Sequence, residues 1–284
     1  MRHIEKPDYA VSDIVKCCTD SMHKTKEQLP LIEAYKAAIP ELEQYDIVYK
    51  QAMEKGEVYK LTPHTRVTDA IGSKQMEALY SKQFVKNKMP RALYYDRIMA
   101  GARNHICPYC AERDVSTLDH FLPKAHFPKL AVNALNLIPS CTDCNEEKQS
   151  TFFSKAEDVP LHPYYDDVQN TAWLFASFKS NNICSIVFYA KHDDSLLEKR
   201  LQTHMKYYKL AQLYQIKVAE ECRAYQMMWN NILQSGRGKN ALVELLKYSF
   251  DSTYSNEINS WRTAFYRAMV EQIDMIIVDD QISV

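Results

Sequence analysis

Apolar residues recur every three or four positions through most of the first hundred residues, the spacing of helices that bury one face. Residues 31–53 obey this rule around Pro40. Proline is tolerated only in the first turn of a helix, so Pro40 marks the start of a second one. Residues 73–86 form the next predicted helix, with Ser73 as its cap and Met76, Leu79, Tyr80 and Phe84 on one face. Beyond Pro90, residues 91–102 give a short helix with Leu93, Tyr94, Ile98 and Met99 turned inward. The pattern returns at 196–233, where Leu197, Leu201, Met205, Tyr208 and Leu213 lie close to a heptad, read as packing within the chain in preference to a partner coiled coil. Helices at 240–248 and 255–277 complete this part.

The middle of the chain differs. Residues 106–150 hold short β-type runs at 117–122 and 135–139, four prolines and a polar, helix-compatible stretch at 143–148. They read as two strands joined by an irregular loop, with a helix after the second. A turn-rich linker, Leu161-His162-Pro163-Tyr164-Tyr165-Asp166-Asp167, and a strand at 183–189 come next. The expected fold is mainly α with a small α+β module: a helical region at 1–95, the module at 96–167 and a mainly helical region at 168–284.

Composition adds limits. Five glycines in 284 residues suit helices with few tight turns, and 19 tyrosines suit amphipathic faces. A net charge of −1 excludes a chain that coats nucleic acid by bulk charge, although Lys82, Lys86, Lys88, Arg91, Arg97 and Arg103 form a local basic run opposed only by Asp96. Its plain alternative is a solvated helix face. With no eighteen-residue apolar run and no export signal, the expected compartment is the cytoplasm and no membrane partner is expected.

Four of the eight cysteines stand as two pairs, Cys107-Pro108-Tyr109-Cys110 and Cys141-Thr142-Asp143-Cys144. Two intervening residues let one tight turn present both sulfurs to an ion, and two such turns supply the four thiolates of a closed structural zinc site. Cys17, Cys18, Cys184 and Cys222 lack such spacing and read as small buried residues. Between the pairs lie Leu118-Asp119-His120-Phe121-Leu122-Pro123-Lys124 and Asn136-Leu137-Ile138-Pro139. Asn145, Glu146, Glu147 and Lys148 come directly after the last cysteine. An adjacent carboxylate and imidazole suit acid/base and metal-ligand work. On a regular strand they face opposite sides, so they share a site only at a strand end or an irregularity.

These motifs, in this order, resemble the HNH endonuclease family, and within it the HNH subunits of Septu-type and retron-associated anti-phage defence systems. The resemblance covers about residues 90–167. It implies a zinc-stapled ββα-metal core with His120 as general base, Asp119 and Asn145 as ligands of a catalytic Mg²⁺ or Mn²⁺, and Asn136 bracing the loop. Asn145 stands where many members have a second histidine. It further implies hydrolysis of phosphodiesters in nucleic acid, DNA first, and an ATPase subunit as partner. Lys124 and Lys148 are candidate phosphate contacts, with solvated lysines as the alternative. His126 reads as an exposed loop residue, His105 as flanking the first cysteine pair, and His162 as support for the site. Two rival readings stay open: a non-catalytic zinc-ribbon module that binds nucleic acid or protein, and an RNA-cleaving toxin with the same module.

Overall fold

Pro30 and Pro40 each fall in the first turn of a helix, where a missing N–H costs nothing. They open α2 (Leu29–Ala37) and α3 (Ile39–Glu54), which come after α1 (Val11–Asp20). The computed structural model describes residues 1–148, 152–279 and 281–282, so 149–151, inside the expected module, lie outside the described residues. The chain divides into two compact units, Arg2–Asp167 and Val168–Val284, with Met1 grouped with the latter.

In the first unit, α4 (Ser73–Ala78) is opened by Gly72, whose N–H is capped by the Gln75 side chain, so the cap lies one residue before Ser73. At Leu79–Phe84 the helix widens to a π turn, with the Val85 N–H reaching the Tyr80 carbonyl. A second π turn spans Arg91–Tyr95. Each π turn rotates the residues after it about the helix axis, out of phase with a regular helix. Met76, Leu79, Tyr80, Phe84 and Ile98 are buried as expected, but Tyr95 points inward while Leu93 is exposed, and Tyr94 and Met99 are half-buried.

Strands β1 (Thr117–His120) and β2 (Leu137–Ser140) pair antiparallel, with Asp119 opposite Ile138 and His120 opposite Leu137. Helix α5 (Thr142–Lys148) starts directly after β2. Leu118, Ala131, Val132, Ala134 and Leu137 share one apolar core with Ile14, Val15, Tyr35, Leu42, Leu79 and Phe84 from the N-terminal helices. Burying each large side chain stabilises by about 1.5–3 kcal/mol, so the two strands are held mainly by the helices beneath them.

The second unit pairs β3 (Leu174–Phe178) with β4 (Ile186–Ala190), antiparallel. The expected strand at 183–189 thus starts later, and its partner carries no signal recognised in the sequence. Buried Asn259 accepts from the N–H groups of Trp173 and Leu174 and donates to the carbonyls of Val168 and Thr171. The expected helix at 196–233 is two, α6 (Ser195–Tyr207) and α7 (Leu210–Leu233), because Lys209 takes a left-handed conformation between them. Then come α8 (Gly238–Asn256) and α9 (Trp261–Glu271), both offset from the predicted spans. Cys18 and Cys222 are buried as expected, whereas Cys17 is half-buried and Cys184 exposed. No helix among the described residues is long and apolar enough to cross a membrane.

Candidate active site

Two tight turns bring the cysteines together. The Ala111 N–H closes the first on the Cys107 carbonyl, with Ala111 at a φ of 59°. The second is the entry to α5, where the Asn145 N–H bonds the Cys141 carbonyl and the Cys144 N–H points at the Cys141 sulfur. All four ligand sulfurs lie within 4.8 Å of one another and all four cysteines are buried. A tetrahedron of sulfurs about 2.3 Å from an ion has edges of about 3.8 Å, so this donor set fits zinc. Hydrogen bonds from Cys107 and the other thiols pull the Cys110 pKa down and push that of Cys144 up, while burial raises Cys107, so the four sulfurs interact as one cluster. Arg113 joins the turns from outside through Asp143 at 2.9 Å.

Next to this cluster, Asp119 is 3% exposed. The Tyr109 hydroxyl, from between Cys107 and Cys110, donates to its Oδ2 at 3.0 Å. Lys148 Nζ lies 2.8 Å from Oδ2 and 3.0 Å from Oδ1, and also donates to the His120 carbonyl. Burial lowers the Lys148 pKa, and the charge of Asp119 opposes that shift. Lys148 is 1% exposed. Neither expected role fits it: with three protons committed to three acceptors it is not a surface lysine and has no donor left for phosphate.

His120 is the last residue of β1, so the alternation of side chains is released there, and both Asp119 and His120 line one cavity. Its Nε2 lies 2.8 Å from the Ala131 carbonyl, which can only accept, so Nε2 carries the proton. Nδ1 has no hydrogen-bond partner among the described residues. The ring packs edge-on against Tyr80 at 4.5 Å, on the first π turn. Burial, then the charge of Lys124, pushes the pKa of His120 down to about 3.

Asn136 is fully buried away from solvent. It accepts from the Leu122 N–H at 2.8 Å and donates to the carbonyls of Leu122 and Leu130 at 2.9 and 3.3 Å, tying the two ends of the β1–β2 connection. His162 is buried and lies 4.2 Å from the Phe121 ring. His126 is half-buried against Phe152, and His105 is exposed in a left-handed turn before Cys107.

The cavity, about 560 Å³, gathers Asp119, His120, Asn145 and Lys124. Tyr80, Glu77 and Glu146 also line it. The sequence gives no sign of Glu77 and Tyr80 as site residues, since their helix lies some forty residues away and only the shared core brings it over. Lys124 sits 5.3 Å over the Tyr80 ring. In the basic run, Lys82, Lys86, Lys88, Arg97 and Arg103 are exposed with no ion pair among the described residues, while Arg91 pairs with Asp96 at 3.2 Å.

Residues 107–151 match the HNH endonuclease family. Protein ea31 of Escherichia phage lambda is 24% identical over 292 residues, which cover 96% of this chain and 98% of that protein. The Septu protein PtuB of Bacillus thuringiensis is 33% identical over 106 residues, 35% of this chain and 40% of that protein. No solved structure matches at a significant level. The sulfur cluster, the paired strands and the helix after them therefore lie within 107–151, the stretch that matches the HNH endonuclease family.

Proposed function

We propose that this chain is a metal-dependent endonuclease of the ββα-metal kind, hydrolysing phosphodiesters in nucleic acid, with DNA the favoured substrate. One observation carries the reading. Asp119, His120 and Asn145 meet in one cavity, and His120 is turned so that, among the described residues, Nδ1 has no partner. On this reading, His120 Nδ1 takes the proton of the attacking water, while Nε2–H, bonded to Ala131, holds the ring in that tautomer. An anionic substrate placed against the ring raises its basicity from the low value it has alone. The oxygen donors of Asp119 and Asn145 suit a hard cation such as Mg²⁺ or Mn²⁺, which when bound supplies positive charge to a phosphate oxygen and the leaving 3′-oxygen. Asn136 is a positioning residue that fixes the turn after His120. Zinc at the four cysteines is structural.

The similarity to a Septu protein supports a role in anti-phage defence beside a partner subunit, an ATPase by the family resemblance; the proposed compartment is the cytoplasm. In functional terms the chain divides at 1–95, 96–167 and 168–284, with 96–167 carrying the chemistry. The test is incubation of the purified chain with supercoiled plasmid and with RNA, in Mg²⁺, Mn²⁺ or EDTA, alone and with the neighbouring operon product. Metal-dependent nicking of plasmid that His120→Ala lacks is the expected result. Cleavage of RNA alone transfers the reading to a ribonuclease. No cleavage under any condition overturns it.

A further inference from the structure

Lys148 lies almost equidistant from both oxygens of Asp119, at 2.8 and 3.0 Å. That is where a cation gripped by both oxygens of one carboxylate would sit. Its third proton goes to the His120 carbonyl, and the residue is 1% exposed, so the ammonium is locked in place from every side. Tyr109 fills a further lone pair on Oδ2. Among the described residues, Oδ1 accepts only from Lys148 and keeps a lone pair free.

We infer that Lys148 is a built-in cation seated in the chelating position of Asp119, limiting an incoming metal ion to one carboxylate oxygen and so selecting Mg²⁺ or Mn²⁺ over Ca²⁺. This selectivity presupposes the catalytic metal site proposed at Asp119 and Asn145. Calcium takes six to eight oxygens and readily uses carboxylates two oxygens at a time, whereas Mg²⁺ demands a compact octahedron and uses them one at a time. A carboxylate whose chelating face is already filled offers calcium little and magnesium all it needs. The lysine also balances the buried charge of Asp119, so the site keeps its shape without the ion. Lys148 is thus a positioning and selectivity residue, and touches no substrate.

The experiment uses the full zinc-loaded chain and the loss of the free Mn²⁺ signal in electron paramagnetic resonance, with Mg²⁺ and Ca²⁺ as competitors. Wild type should bind Mn²⁺ and release it to Mg²⁺ more readily than to Ca²⁺. Lys148→Met should raise the Ca²⁺ to Mg²⁺ affinity ratio about tenfold, because the chelating face is opened. If that variant needs an ion to fold, thermal melting should show Ca²⁺ rescuing it better than Mg²⁺. Tyr109→Phe, which keeps Lys148, should retain the wild-type order. An unchanged ratio in Lys148→Met, equal or absent rescue by the two ions, or a shift in Tyr109→Phe alone overturns the inference. Wild-type chain that binds no Mn²⁺, or Asp119→Ala that binds it normally, overturns the metal site itself.

Discussion

Nε2–H of His120 donates to the Ala131 carbonyl oxygen, 2.8 Å from the nitrogen and eleven residues further along the chain. One short bond therefore links the end of β1 to the loop it opens, and fixes which nitrogen of the ring can act. His120→Ala should abolish cleavage. Because the ring is also packed on Tyr80, the variant should lose about 2 kcal/mol of stability through the cavity and the unpaired carbonyl. Turnover assays beside thermal melting separate the two effects, and wild-type turnover would remove His120 from the mechanism.

The depressed pKa of His120 sets a pH dependence. Folded, it holds its proton only below about 3, whereas the unfolded chain takes one up below about 6.5. Between these values the unfolded state binds more protons, so stability rises with pH and is lost on acidification, by up to a few kcal/mol. A divalent cation beside Asp119 pushes the same way. Denaturant melts from about pH 7 to 4 should lose less stability in His120→Ala than in wild type, and cleavage should show no drop centred near 6.5.

Asn136→Ala should be costly. The amide is buried and serves three backbone groups, so truncation leaves Leu122 unpaired at both its N–H and its carbonyl, at about 3 kcal/mol. Urea unfolding measures this directly. A loss below about 1 kcal/mol would mean that water replaces the amide and that Asn136 is no brace.

The chain should carry one tightly held zinc, and serine at Cys107, Cys110, Cys141 or Cys144 should cost folding as well as activity. Structural zinc contributes on the order of 10 kcal/mol. Folded, soluble protein without zinc by elemental analysis would sink this.

The catalytic ion should separate from the zinc. Brief EDTA treatment should stop cleavage without unfolding the chain, and Mg²⁺ or Mn²⁺ should restore it, since oxygen donors exchange an ion far faster than four thiolates do. Asp119→Ala and Asn145→Ala should block that rescue at normal zinc content. Activity that tracks zinc alone across these variants contradicts the assignment.

Features with local causes are legible in the sequence, and features with distant causes are not. The cysteine turns are local, and their spacing alone announces a four-sulfur cluster. The strands on either side of the loop declare themselves by β-type runs, and Pro40 by its fixed backbone. Tyr80 and Glu77 reach the cavity only through a shared core, which no window of sequence contains. The π turns at 79–84 and 91–95 each add a residue to one turn, which moves Leu93 outward and Tyr95 inward against the helical count. Lys148 carries no sign of burial: a lysine in a polar run reads as exposed until its partner, twenty-nine residues back, is seen.

Tyr109 stands between two of the four clustered cysteines, and Asn145 is the neighbour of another. On the proposed roles, the structural ion decides when the chain becomes dangerous as well as how it folds. A newly made copy still without zinc has no fixed turn to present the Tyr109 hydroxyl to Asp119, and no anchored first turn to carry Asn145. Ripening of the enzyme and uptake of the ion are then one event, and zinc-starved copies stay harmless to the cell that makes them.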